Sequence, residues 1–166
     1  MAAGMSISTL SKRIFLPPLI AGLALFAVLP SSAEAATSKV PKAQLTTYMN
    51  QLKPLAASET SILKRYDSVT GKNYKDDLTT FTMMQKILPD VNKYIMRLEA
   101  IQPSNATLRK IHQGYIDAWN AQAEGFTLIM SALQNSDYTA LAAGNKALSK
   151  GRTLMYNFST SLKAVQ

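Results

Sequence analysis

The strongest constraint on this chain is a helical repeat of apolar residues. It runs through four segments that only short polar turns separate. From about Pro41 to Ser68, Leu45, Tyr48, Met49, Leu52, Leu55, Ile62, Leu63 and Tyr66 recur mostly in steps of three and four, the spacing of one helix face. Pro41 suits a first-turn position, where no N–H is needed. Pro54 lacks a backbone donor inside the segment, which predicts a kink or a split near Lys53. A second stripe follows a loop around Gly71 and a candidate N-cap at Asp76. It holds Leu78, Phe81, Met84, Ile87, Leu88, Val91, Tyr94, Ile95, Leu98 and Ile101, and Pro89 predicts a kink within it. The third stripe, capped by Ser104 or Asn105, holds Leu108, Ile111, His112, Tyr115, Ile116, Trp119, Phe126, Ile129, Met130 and Leu133. The fourth, capped by Asp137, holds Tyr138, Leu141, Leu148, Met155, Phe158, Leu162 and Val165, with Asn145 and Gly151 interrupting it.

No segment alternates with the period of two that a half-buried strand requires. Short connections between long helices imply antiparallel neighbours. The expected fold is therefore all-α: residues 36–166 form one domain, an up-down-up-down antiparallel four-helix bundle with helices one and two kinked at Pro54 and Pro89. Helices of about 25 residues make such a bundle roughly 38 Å long.

The region before the first stripe reads as an address. Lys12 and Arg13 precede an uncharged, mostly apolar run from Ile14 to Leu29, which Pro30 breaks. Ala33-Glu34-Ala35 then places small residues where a signal peptidase inspects them. Residues 1–35 are expected to be a signal peptide cleaved after Ala35. The alternative, a retained anchor, has a run shorter than the roughly 20 apolar residues of a span and contains Pro17-Pro18. Lipidation of the leader requires a Cys, and the chain has none.

Several chemistries lack their residues. With 47 % hydrophobic and 17 % charged residues the chain is not a disordered tail. Without Cys it has no disulfide, thiolate-held metal or covalently attached haem. The only His is His112, and Arg109 stands where a Glu-x-x-His di-iron motif needs its carboxylate. No nucleophile elbow and no Gly-rich phosphate loop occurs. No catalytic residue is assigned, and the chain is expected not to be an enzyme.

The candidate binding residues surround His112. Counting outward from each turn places His112 level with Tyr94 and Ile95, and with Tyr48 and Met49 on the diagonal helix. Met49 and His112 are the ligand types of a b-type haem in a helical bundle. The ordinary alternative is a His hydrogen-bonded to a Tyr or a backbone carbonyl. Tyr48, Tyr94 and Tyr115 lie near the same level, where buried rings with polar tips can line a pocket. No cofactor is assigned. Asn145 falls at stripe spacing, level with Tyr66 and Leu78. A buried Asn needs a partner, so Asn145 and Tyr66 are expected to set helix register, and Gly151 to permit close helix approach.

Cleavage would remove Lys12 and Arg13 from 18 basic residues and Glu34 from 10 acidic ones, leaving a net charge of +7. The basic residues, among them Lys39, Lys42, Lys53, Lys64, Arg65, Lys146, Lys150 and Arg152, form no run of four. An exported basic surface suits anionic wall polymers or headgroups better than nucleic acid. Ile111-His112-x-x-Tyr115-Ile116-x-Ala118, Asn145-x-x-Leu148-x-x-Gly151-Arg152 and Tyr66-x-x-x-Thr70-Gly71 together resemble small uncharacterised secreted helical proteins of Gram-positive spore-forming bacteria. Many of those carry a lipobox Cys that this chain lacks. The resemblance implies export and a helical bundle, and it transfers no activity. The functional expectation is a secreted or envelope-associated protein that binds an envelope polymer or a surface protein. The alternative is a carrier of a small ligand or cofactor.

Overall fold

The computed structural model describes residues 40–166; the leader expected over residues 1–35 lies outside them. Five α-helices follow one another: α1 (Lys42–Leu52), α2 (Ala56–Asp67), α3 (Asp77–Glu99), α4 (Ala106–Gln134) and α5 (Leu141–Ala164). Lys53–Leu55 and Gly71–Asn73 are single 3₁₀ turns. The described residues contain no strand, so residues 40–166 are all-α, as their periodicity requires.

The two helix-interior prolines act differently. Pro54 splits the first stripe, with α1 ending at Leu52 and α2 starting at Ala56. Pro89 lies inside α3, which continues through it.

The turns are held by the polar residues that flank them. Asp76 caps α3: its carboxylate accepts from the Thr79 N–H at 2.6 Å and the Thr79 hydroxyl at 2.9 Å. Asn105 caps α4 through the N–H groups of Thr107 and Leu108. Gly71 adopts φ 57°, the left-handed conformation that costs glycine no steric strain. The C-terminus of α4 closes around Ser136, at φ 51°, with Asp137 N–H donating to Ala132 and Ser136 N–H to Leu133.

The expected cap at Asp137 is corrected. Its carboxylate accepts from the N–H groups of Thr139 and Ala140 and so binds a turn that precedes α5. Tyr138 belongs to that turn, and its hydroxyl donates to Asp77 at 2.8 Å. Leu78, read as part of the second stripe, is 74 % exposed. It follows Asp77 in the first turn of α3 and points away from the face on which Thr80 is buried.

From α2 onward, consecutive helices run antiparallel where they touch. Arg65 pairs with Asp90 while Arg97 reaches back to Ser58, which opposes α2 to α3. Tyr94 meets Tyr115 and Leu98 meets His112, which opposes α3 to α4. A Cβ on Gly125 would strike Leu148, and one on Gly144 would strike Ile129. One on Gly151 would lie 3.0 Å from the Ala118 carbonyl oxygen. Gly151 thus marks a close approach of α4 and α5, with two further glycines sharing the contact. Trp119, Tyr48, Tyr66, Tyr94, Tyr115 and Phe126 are the largest fully buried side chains. Burial of each large apolar side chain contributes about 1.5–3 kcal/mol, and these aromatics make α4 the centre of the core.

Candidate functional site

Leu55, at the end of the 3₁₀ turn, and Glu59, Ile62, Leu63 and Tyr66 of α2 are buried against the other helices. Four of these are apolar stripe residues. Glu59 occupies the same stripe and is 2 % exposed. Its carboxyl faces Tyr115 and Trp119 of α4. The Tyr115 hydroxyl and the Trp119 indole N–H both favour its charged form, but burial outweighs them and pushes its pKa up to about 7. Neither group is seated as a full hydrogen bond: both Glu59 oxygens and Trp119 Nε1 lack a partner of bonding geometry. A carboxyl in that position is held more readily as the neutral acid.

The aromatic residues around it are tightly arranged. The Tyr94 and Tyr115 hydroxyls are 2.7 Å apart. The Tyr94 ring packs on Trp119 with centroids 4.6 Å apart, and Tyr115 stacks on Phe158 at 4.1 Å. Burial raises the pKa of Tyr94 and Tyr115, and the nearby Glu59 carboxyl raises both further.

His112 is a fixed neutral imidazole. Nε2 lies 2.9 Å from the Leu98 carbonyl oxygen, which can only accept, so Nε2 carries the proton. Nδ1 is then an acceptor, and the Tyr48 hydroxyl donates to it at 3.1 Å. Burial lowers the His112 pKa, while its bond to Leu98 acts in the opposite sense.

Of the residues singled out around His112, the fold buries Tyr48, Tyr94, Tyr115 and His112 together. It places Met49 elsewhere. Met49 is half-buried and lines a groove beside α1 with Val40, Leu45, Lys53 and Gln166. The residue facing His112 is Tyr48, one position earlier. With both imidazole nitrogens engaged by protein, His112 has none left for an axial bond to iron. No group of three or more His, Cys, Asp or Glu among the described residues is arranged to hold a metal.

Asn145 and Tyr66 are not joined: Asn145 Oδ1 and the Tyr66 hydroxyl are both buried without a partner. Tyr66 packs instead on Phe126, with ring centroids 5.0 Å apart. The positive charge of Arg152 lowers the Tyr66 pKa, against the larger upward push of burial.

The outer side of the α2–α3 contact is an open groove of about 370 Å³. Three cations border it: Arg65, Lys93 and Arg97. Arg65 is neutralised by Asp90 at 2.6 Å, the one ion pair among the described residues. Arg97 instead donates to the Ser58 hydroxyl at 3.3 Å and the Pro54 carbonyl at 3.4 Å. Lys93 and Arg97 are four residues apart on α3, which puts them on one face. Ser58 and Ser61 add hydroxyls, and the buried Tyr94 closes the floor. The groove can accept hydrogen-bonding anions: two cations without acidic partners stand beside donor hydroxyls over an aromatic base.

Sequence reading passed over Glu59, Lys93 and Arg97. A signal for Glu59 was present, since it falls four residues after Leu55 and three before Ile62 on an otherwise apolar stripe. Lys93 and Arg97 carry no such signal until α2 is known to lie beside them. Compared with protein-family models, with curated proteins and with solved structures, the chain matches none.

Proposed function

We propose that this is an exported, non-enzymatic binding protein of the cell envelope, and that an anionic envelope polymer occupies the α2–α3 groove. In this reading α1 and α2 together form the first helix of an up-down-up-down four-helix bundle, and the leader over residues 1–35 directs export. The likeness to small secreted helical proteins points the same way.

The observation that carries the reading is the pair Lys93 and Arg97, which have no carboxylate partner and border a groove that already presents Ser58 and Ser61 hydroxyls. Guanidinium and ammonium groups serve phosphate differently, the first by a planar fork and the second as a point charge. A groove carrying both accepts successive charges of a polymer. No described helix is long and apolar enough to cross a membrane, and a polymer ligand requires none. The core offers no competing site of comparable access, because Glu59, His112 and the surrounding Tyr side chains are all buried.

The test is binding of soluble polyglycerol phosphate, followed by fluorescence anisotropy of the labelled polymer. Lys93→Glu/Arg97→Glu is expected to weaken binding at least tenfold and to reduce its salt dependence. Lys146→Glu/Lys150→Glu on α5 is the matched control and is expected to change it less than threefold. Equal losses in the two double variants would overturn the groove as the site.

A further inference from the structure

We infer that Glu59 is a proton-linked regulator of the α2–α3 groove, so that acidification tightens its hold on a polyanion. The inference rests on the groove being the binding site and adds the control of that site.

The argument begins with position. Glu59 and Ser58 are consecutive on α2: Ser58 lines the groove and Glu59 points into the core behind it. Tyr94 bridges the two regions. It forms part of the groove floor, and its hydroxyl senses both the Glu59 carboxyl and the Arg97 guanidinium. The carboxyl is thus separated from the binding cations by one aromatic side chain, and Glu59 is only 2 % exposed.

The surroundings leave a Glu59 charge uncompensated. α3 presents Tyr94, with Arg97 beyond it, and α4 presents Tyr115 and the uncharged Trp119. α1 contributes Tyr48, which reaches Tyr94 but is bonded to His112. α5 brings the Phe158 ring, stacked on Tyr115, while its Arg152 acts on Tyr66. No cation pairs with Glu59 among the described residues, and both its oxygens lack hydrogen-bond partners.

A negative charge fixed there opposes an anion in the groove through a medium that screens poorly. Protonation removes it. By linkage, an anion that binds the protonated form better must also promote proton uptake. Burial places the carboxyl's titration near neutrality, inside the range a cell envelope experiences, rather than in strong acid.

Polyglycerol phosphate is the probe, because its phosphodiesters stay ionised from pH 5.5 to 8.5 and contribute no titration. The protein is expected to bind it about fivefold more tightly at pH 5.5 than at pH 8.5, the effect of about one poorly screened charge near the site. Glu59→Gln, which mimics the neutral acid, is expected to bind at both pH values as the unmodified protein does at pH 5.5. A pH slope that persists unchanged in Glu59→Gln overturns the regulation while leaving the groove in place. A slope abolished by Glu59→Gln, with binding indifferent to Lys93→Glu/Arg97→Glu, retains a proton link but overturns its location at the groove. Carbon-13 titration of the Glu59 carboxyl in the unmodified protein supplies a measurement that needs no variant. Its midpoint is expected to rise when polymer is added, and a midpoint that polymer does not move overturns the inference.

Discussion

The Tyr48 hydroxyl donates to Nδ1 of His112 at 3.1 Å, joining residues 64 positions apart. The same imidazole donates through Nε2 to the Leu98 carbonyl. One ring therefore ties α1 to α4 and to the C-terminal turn of α3. Its edge-on packing against Tyr48, with ring planes at 84°, fits the same contact. Tyr48→Phe keeps the ring and deletes only the hydroxyl, leaving a buried acceptor unpaired. Its expected cost is about 1–3 kcal/mol, read as a lower urea midpoint with an unchanged slope. An unaltered midpoint would show that the contact does not hold α1 in place.

The close approach of α4 and α5 separates two glycine substitutions by sign. A Cβ on Gly144 would fall 2.5 Å from Ile129 Cγ1 and 3.1 Å from the Ile129 backbone nitrogen. A β-branched side chain and a helix backbone give way poorly, so Gly144→Ala is expected to cost about 1–3 kcal/mol. Gly114 lies inside the same α4 with nothing within 4 Å of an added Cβ. Gly114→Ala there is expected to stabilise by about 0.5–1 kcal/mol. Thermal unfolding of the two variants should move in opposite directions, and parallel shifts would refute the packing.

Asp77 joins two turns that are distant in sequence. One carboxylate oxygen accepts from the Tyr74 hydroxyl at 2.7 Å, and the other from the Tyr138 hydroxyl at 2.8 Å. Both the bond and the negative charge raise the Tyr138 pKa. Asp77→Ala should therefore lower the Tyr138 pKa towards that of a free tyrosine, seen by NMR titration. Amide exchange should quicken in the turns before α3 and α5 while the α4 interior stays protected.

The helices were legible because periodicity reports which side of a helix must leave water, and that requirement is local. The break at Pro54 was equally local, since a missing N–H acts wherever the helix lies. Pro89 likewise lacks an N–H, and there α3 continues as one helix. Register counting placed Tyr48 and Met49 alike at the level of His112, and of the two it is Tyr48 that meets the imidazole. Adjacent residues on a helix point about 100° apart, and the count resolves height rather than rotation. The Asn145–Tyr66 pairing failed for the same reason. Glu59 was readable as a carboxyl on an apolar stripe. The groove was not, because it exists only where Arg65 of α2 comes to lie beside Lys93 and Arg97 of α3.

Glu59 also determines how stability should depend on pH. Its carboxyl titrates near 4.5 when free and at about 7 in the fold. Between those values the folded chain keeps a proton that the unfolded chain has lost. Stability from this residue is complete below about pH 4.5, declines as pH rises towards 7, and levels off beyond, for a total of about 3 kcal/mol. His112 acts in the opposite sense. Its folded pKa lies below the usual imidazole value, so stability is lost as pH falls below about 6.5. In Glu59→Gln the first dependence disappears and the second remains. The variant should gain up to about 3 kcal/mol over the unmodified protein at pH 8, and converge with it near pH 4.5. Chemical denaturation at several pH values provides the check. A difference that does not grow with pH would mean that Glu59 ionises in the fold as easily as it does in water.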